Sequence, residues 1–348
     1  EAVIGAHLQA IATGAAAEAS QFIHERVIDV AVLAADPVLT DAATTSNRSY
    51  QGLTEEAAAA RIQKIDSIWN SPAAEPLVKE MLSSRASRAL RRYLDLDPRF
   101  LRITVTDARG ATIAASHKTS DFFQADEDYW RNIYAGGKGA VSLTDILHDE
   151  VTQADYIGVG VPIVEEGSNE FIGTVDALVN VSSLAPIVNR PSAGSHRRVL
   201  LVKEDGTVIC GPQITFAMNV KSGEFAAVED AKSSVPLTGG SLGAQSSGYV
   251  VAEVQGAGRQ VIGFADTGLR QDYRSLGWTA LAAENAREAF APVRFVDRLL
   301  LLVSLLGLLM VAVLVMYFAV HRQLAYVDIG TAAKSRPPAG GEPPQEKP

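Results

Sequence analysis

Residues 156–184 read YIGVGVPIVEEGSNEFIGTVDALVNVSSL, two apolar runs rich in β-branched residues around a polar turn at 165–170 that holds Gly167. Runs of this composition, bounded by Gly and Asn, predict two paired antiparallel strands, 156–164 and 171–181. Upstream, residues 102–107 (RITVTD) and 111–116 (ATIAAS) flank Ala108-Arg109-Gly110. That is the signature of a hairpin whose glycine supplies the positive φ of the turn. A strand at 141–147 and a helical turn at 127–134 complete a five-stranded antiparallel sheet with helical insertions.

Downstream the pattern returns in weaker form. Residues 199–203 and 207–210 form a second hairpin, with Gly206 placed 96 positions after Gly110. Residues 248–254 and 260–266 read as the later strand pair, Ile262-Gly263 standing 90 positions after Ile172-Gly173. A last strand follows at 277–283, leading into a helical stretch at 285–297. Two tandem modules of similar topology are the simplest account.

Ahead of the sheets the period is helical. Ile4, Leu8, Ile11, Ala15, Ala19, Phe22, Ile23, Val27 and Val30 recur at steps of three and four, which predicts one long amphipathic helix over residues 1–36, stopped by Pro37. A second helix is predicted at 54–70, with Thr54 as N-cap and Glu55 and Glu56 in the first turn, and a third at 72–93 with Pro72 in its first turn. Arg85, Arg88, Arg91 and Arg92 read as its solvated face.

Composition narrows the class. The formal charge of −9 argues against a nucleic-acid partner. The single cysteine, Cys210, excludes a disulfide scaffold and a Cys-rich zinc site, and its apolar strand predicts a buried, inert thiol. His7, His24, His117, His148, His196 and His321 are scattered without an HExxH motif, no GxSxG is present, and Gly136-Gly137-Lys138-Gly139 lacks the spacing of a phosphate loop. No catalytic constellation, metal or cofactor is therefore expected.

Residues 299–320 (LLLLVSLLGLLMVAVLVMYFAV) carry no charge over 22 positions, enough to cross a bilayer core of ~20 helical residues. Arg294 and Arg298 before it and His321 and Arg322 after it balance, so charge gives no orientation. Beyond it the tail 322–348 is rich in Pro and Gly and is expected to be disordered, leaving output to a partner. Because the chain opens on Glu1 and not Met, a processed leader or an earlier membrane helix is expected.

The order of these parts resembles a known family. The long first helix, the run DEDYWRNIYAGGKGAVSLTDI (126–146), the strand pair at 156–184 and the exit LGWTALAAENAREAF (276–290) are similar to the double Cache sensor domains of bacterial chemoreceptors and histidine kinases. The resemblance implies an α+β architecture: a helical region at 1–97 whose long helix forms a dimer interface, a membrane-distal PAS-like module at 98–185, a linker at 186–196, a membrane-proximal module with its exit helix at 197–297, and a membrane helix at 298–321. It also implies a bacterial inner-membrane protein with residues 1–297 in the periplasm, the tail in the cytoplasm, and a small-molecule pocket in the distal module.

Relatives that bind amino acids hold the ligand carboxylate with an arginine two residues before a Trp-Tyr pair, and its amine with a strand aspartate. Here the pair is reversed, Tyr129-Trp130, and Glu127 stands at the arginine position. The strand aspartate falls on Leu178, with Asp176 two residues earlier and so on the same face, although flanking Val175 and Ala177 leave an outward-facing, exposed Asp176 equally open. The candidate ligand-binding residues are Tyr129, Trp130, Arg131, Tyr134, Asp145, Tyr156 and Asp176. An acidic pocket using Glu127, Asp128 or Asp176 favours an amine or a neutral polar ligand, whereas Arg131 turned inward would restore carboxylate binding. The competing expectation is that Trp130 and Tyr134 only fill the core, and that the chain is an accessory subunit of a larger membrane complex, with the fold as a docking surface.

Overall fold

The computed structural model describes residues 2–149, 153–189, 197–234, 246–289 and 300–319. Contacts divide the chain into two units, Glu1–Ala289 and Phe290–Pro348. The end of the predicted linker, the helical stretch after Ala289, the charges flanking the membrane segment and the tail lie outside the described residues.

Helix α1 (Ala2–Ala34) is the predicted long helix and buries Leu8, Ala12, Ala15, Ala16, Ala19, Ile23, Val27 and Val30 along one stripe. At 1.5 Å per residue it is about 50 Å long, enough to run beneath both sheets. Pro37 does not merely stop it. Asp36 accepts a hydrogen bond from the Val38 N–H at 2.7 Å, and Pro37, which has no N–H to satisfy, opens helix α2 (Pro37–Arg48). Helix α3 (Glu55–Ile68) is capped by Thr54 as predicted.

The predicted third helix is two, α4 (Glu75–Ser83) and α5 (Arg85–Leu96). They part at Ser84, whose hydroxyl accepts from the Ser87 N–H and so starts a new helix inside a helical period. Arg85, Arg88 and Arg92 face solvent and Arg91 is half-buried.

The first sheet contains β1 (Phe100–Asp107), β2 (Thr112–Ala115), then helix α6 (Asp128–Tyr134), β3 (Ser142–Leu143), β4 (Leu147–Asp149), β5 (Ala154–Val164) and β6 (Phe171–Asn180). Its order is β2-β1-β6-β5-β3, with β4 also on β5, all antiparallel. It has six strands where five were predicted, because the chain leaves the sheet between β3 and β4. Asp145 there bonds the N–H of Ile146 and two side chains of the second sheet.

After the short helix α7 (Ala185–Val188), the second sheet comprises β7 (Arg198–Val202), β8 (Val208–Gly211), β9 (Ile214–Thr215), β10 (Ser247–Val254), β11 (Gly258–Asp266) and β12 (Thr279–Asn285) in the order β10-β11-β12-β7-β8-β9. Helix α8 (Gly223–Ser234), unforeseen in the sequence, covers one face; the short helices α9 (Leu269–Asp272) and α10 (Ala286–Ala289) flank β12. Gly110 and Gly206 both sit in hairpin turns, at φ +82° and +80°. The second repeat match does not hold: the strand beside the first hairpin is β6 in one sheet and β12 in the other, so Ile172-Gly173 of β6 is not equivalent to Ile262-Gly263 of β11.

Both sheets lay one face on α1, and their opposite faces differ. In the second sheet that face is apolar, with Leu200, Val202, Ile262, Phe264, Leu281 and Ala283 packed under Val228 of α8. Among the described residues this face is filled by packed side chains. Cys210 is buried beside it, and burial pushes its thiol up to about 12, so the thiolate does not form at neutral pH.

The second unit's described part is helix α11 (Leu300–Ala319), 20 residues with mean hydropathy 2.8 and every side chain exposed. By length and composition it can cross a membrane.

Candidate ligand-binding site

On the first sheet, the face turned away from α1 is polar. Cross-strand register puts Arg102 opposite Leu178, Thr104 opposite Asp176, and Thr106 opposite Thr174, with Gly160 of β5 beside Asp176. Ile103, Val105, Val175, Ala177 and Val179 take the other face, toward α1. The face of Asp176, undecided from the sequence, is therefore the one covered by α6 and the loop before it.

That cover is fixed from outside. Asp66 of α3 accepts from the N–H groups of Phe122 and Phe123, both at 3.0 Å, and Trp69 donates its indole N–H to the Thr119 carbonyl at 3.0 Å. Gln124, buried, donates its backbone N–H to the Gly110 carbonyl and accepts from the Tyr129 hydroxyl. Ile133 of α6 rests on Gly160, where a Cβ would come within 2.2 Å of its side chain. Thr144 forms a side wall. A Cβ built on Gly158 would sit 3.0 Å from the Thr144 hydroxyl oxygen and 3.7 Å from Asp176 Oδ1, so glycine there keeps the space beside the carboxylate open.

The charges inside are incompletely matched. Asp176 is only 8% exposed, and among the described residues its carboxylate has no hydrogen-bond or ion-pair partner. Burial pushes its pKa up to about 7, the Arg102 charge opposing. Arg102 has its Nε buried and unpartnered among the described residues. Burial above all, then the Asp176 charge, drives the Tyr129 phenol upward, so it stays a neutral hydrogen-bonding group. A buried carboxylate without a donor is costly unless something supplies one. A protonated amine or an N–H group beside Asp176 would do so, Arg102 could receive an anionic or carbonyl oxygen, and the Tyr129 ring offers a flat face.

The structure brings Tyr129 and Asp176 together and sets Tyr156 on the same sheet face by register, opposite Asn180. Trp130 closes one end of the floor. Its indole N–H donates to the Thr106 hydroxyl at 2.9 Å, while its ring is 5% exposed, stacks on Tyr134 at 5.0 Å and meets Phe171 edge-on. Arg131 points outward to Asp128 at 2.5 Å, and Glu127 and Asp128 are exposed. Asp145 lies apart, bonded to the second sheet. The Gly139 and Ala140 N–H groups are engaged by the Tyr134 and Ile133 carbonyls, so the Gly136–Gly139 stretch caps α6 and is no phosphate cradle.

Sequence reasoning missed Arg102, Gln124 and Thr144. The one available signal was the alternation of Arg102, Thr104 and Thr106 in β1, polar residues at every second position of a strand otherwise buried. A wider groove of about 740 Å³ runs between α2 and the β5–β6 turn, lined by Asp41, Thr44, Glu165 and Glu166 among others. It holds no buried unpartnered polar group among the described residues, whereas the polar face around Asp176 holds Arg102 Nε, and that face is therefore the stronger candidate.

No family profile and no curated protein sequence matches the chain. Solved structures similar to it include ligand-binding domains of chemoreceptors. One is the ligand-binding domain of the Pseudomonas aeruginosa PAO1 amino acid chemoreceptor PctC in complex with GABA, 13% identical, covering 81% of this chain and 99% of that one at a TM-score of 0.49. Others are that of Pseudomonas fluorescens CtaA with L-leucine (14%, 83% and 98%, 0.47) and that of Campylobacter jejuni Tlp3 with 4-methylisoleucine (13%, 72% and 90%, 0.43).

Proposed function

We propose that this chain is a membrane-anchored extracytoplasmic sensor that captures a small molecule carrying a protonated amine, in its first α/β module (98–185), and signals through the second module (197–297) and the membrane helix to a partner. In this reading residues 1–297 are periplasmic, the tail is cytoplasmic, and the long first helix pairs with that of a second copy. The observation that carries it is the Asp176 carboxylate, buried on a polar sheet face with no partner among the described residues, while the corresponding face of the second sheet is packed apolar core. A ligand amine on Asp176, with any carboxylate on Arg102, completes both groups.

Thermal unfolding of the full chain in detergent against γ-aminobutyrate, amino acids, alkylamines, carboxylates, purines and sugars tests this. A ligand at 100 times its dissociation constant adds ~2.7 kcal/mol and raises the midpoint. The shift is expected for amines and is lost in Asp176→Asn. A folded protein that shifts with nothing in the panel favours an accessory subunit instead.

A further inference from the structure

Thr144 and Asp145 are consecutive residues that serve different sheets. The Thr144 N–H donates to the Gly158 carbonyl at 3.0 Å, and the Gly158 N–H donates to the Thr144 hydroxyl at 2.7 Å. The residue is thus locked onto β5 from both sides, with its hydroxyl and the Asp176 carboxylate converging on the space that Gly158 leaves open. Asp145 turns the other way. Its Oδ2 pairs with Lys203 Nζ at 2.7 Å, and its Oδ1 accepts from the Trp278 indole N–H at 3.2 Å. One residue before Thr144, the Leu143 carbonyl accepts from the Ser275 hydroxyl at 2.7 Å.

The receiving groups are firmly held. Trp278 is fully buried directly ahead of β12, and the Lys203 ammonium, just past β7, lies 5.4 Å from the Phe216 ring. β7 and β12 are paired neighbours at the centre of the second sheet, and β12 runs into α10 at the end of the unit. Helix α1 also touches both sheets, but on the first it meets the apolar face opposite the site. Three adjacent residues therefore connect the polar site with the second sheet by side-chain and backbone hydrogen bonds.

We propose that residues 143–145 are a strap that transmits the state of the Asp176 site to the second sheet: a change beside Thr144 is passed by Leu143 and Asp145 to Ser275, Lys203 and Trp278. The proposal rests on the sensor reading and names its transmission element. Asp145 is then a positioning residue that never touches the ligand. A site can shift a distant equilibrium only through contacts that differ between two arrangements, and these contacts, directional and part-buried, can be made or broken as a set.

Hydrogen exchange of the full chain, followed by mass spectrometry in wild type, Asp176→Asn, Lys203→Met and the double variant, tests the strap without any ligand. Asp176→Asn is expected to change exchange in peptides 140–149 and, by about fivefold, the low end of couplings between sites, in 198–203 and 275–285. In the Lys203→Met background the response at 140–149 persists and the second-sheet response disappears. A second-sheet response that survives Lys203→Met overturns the strap and leaves transmission to the other contacts between the two sheets, α1 and the Asp155 carboxylate on the Ala217 N–H among them. A response to Asp176→Asn that never leaves the first sheet overturns it as well. Should Lys203→Met fail to fold, Ser275→Ala, which removes the donor to the Leu143 carbonyl, runs the same comparison. A ligand panel without hits would count against the sensor reading and leave this outcome unaffected.

Discussion

Gly263 of β11 and Leu8 of α1 approach so closely that a Cβ on the glycine would stand 2.2 Å from the Leu8 carbonyl carbon. The obstructing atoms are helix backbone, so they cannot swing away. Gly263→Ala must push α1 off the second sheet, at about 1–3 kcal/mol for overpacking, and lower the melting temperature. Gly14, on the same helix, has nothing within 4 Å of its Cβ position. Gly14→Ala should raise the melting temperature, since alanine gains up to ~1 kcal/mol of helix propensity over glycine. Equal effects of the two substitutions in a thermal melt would show that the contact is not as close as described.

The pH dependence of stability reports on Asp176. Its carboxyl is raised to about 7 in the folded chain from an unfolded value near 3.8, so between those values the folded form binds more protons than the unfolded one. Stability from this group is therefore undiminished below about pH 4, falls as pH rises toward 7 and is flat beyond. Asp176→Asn removes the penalty. The stability of the variant relative to wild type should grow across that window by on the order of 2–4 kcal/mol, measured by urea unfolding at several pH values. A difference that does not change with pH would place the carboxylate in water or beside a donor.

The face of Asp176 was illegible in the sequence for a physical reason. β6 is buried on both sides from Phe171 to Val179, so a period of two has no solvent side against which to assign faces. Arg102 escaped for a related reason: it meets Asp176 only through the β1–β6 register, a long-range pairing that no local pattern encodes. What could be read was local. The stripe of α1, the Thr54 cap and the Gly110 and Gly206 turns all depend on residues a few positions apart. Pro37 and Ser84 misled because a residue that ends one helix can begin the next.

Trp130 and Tyr129 are neighbours in sequence with different expected roles. The Trp130 ring is packed between Tyr134 and Phe171, and its N–H is satisfied by Thr106. Trp130→Ala should cost about 3–5 kcal/mol as a core truncation. Trp130→Phe, which keeps most of the ring and loses one hydrogen bond, should cost ~1 kcal/mol and leave ligand-induced stabilisation intact. Tyr129→Ala, removing the phenol that feels the Asp176 charge, should instead abolish that stabilisation. If Trp130→Phe removed the ligand response and Tyr129→Ala did not, the two assignments would be reversed.

Arg102 is the positive charge that keeps Asp176 from rising further, and its own Nε is buried without a partner. Arg102→Met therefore has two separable consequences. The carboxylate, now without its counter-charge, becomes harder to ionise, and the pH window over which stability declines should extend above 7. In binding, a ligand with both an amine and a carboxylate loses the partner of its carboxylate, whereas a plain alkylamine needs only Asp176. Calorimetric titration of the variant at a pH above that window, where the carboxylate is ionised in both proteins, should thus show affinity for amino acids falling by at least tenfold, the equivalent of about 1.4 kcal/mol for one charged hydrogen bond, with alkylamine affinity preserved. A parallel loss for both ligand types would mean that Arg102 only shapes the site, and that the amine is the whole of what the site reads.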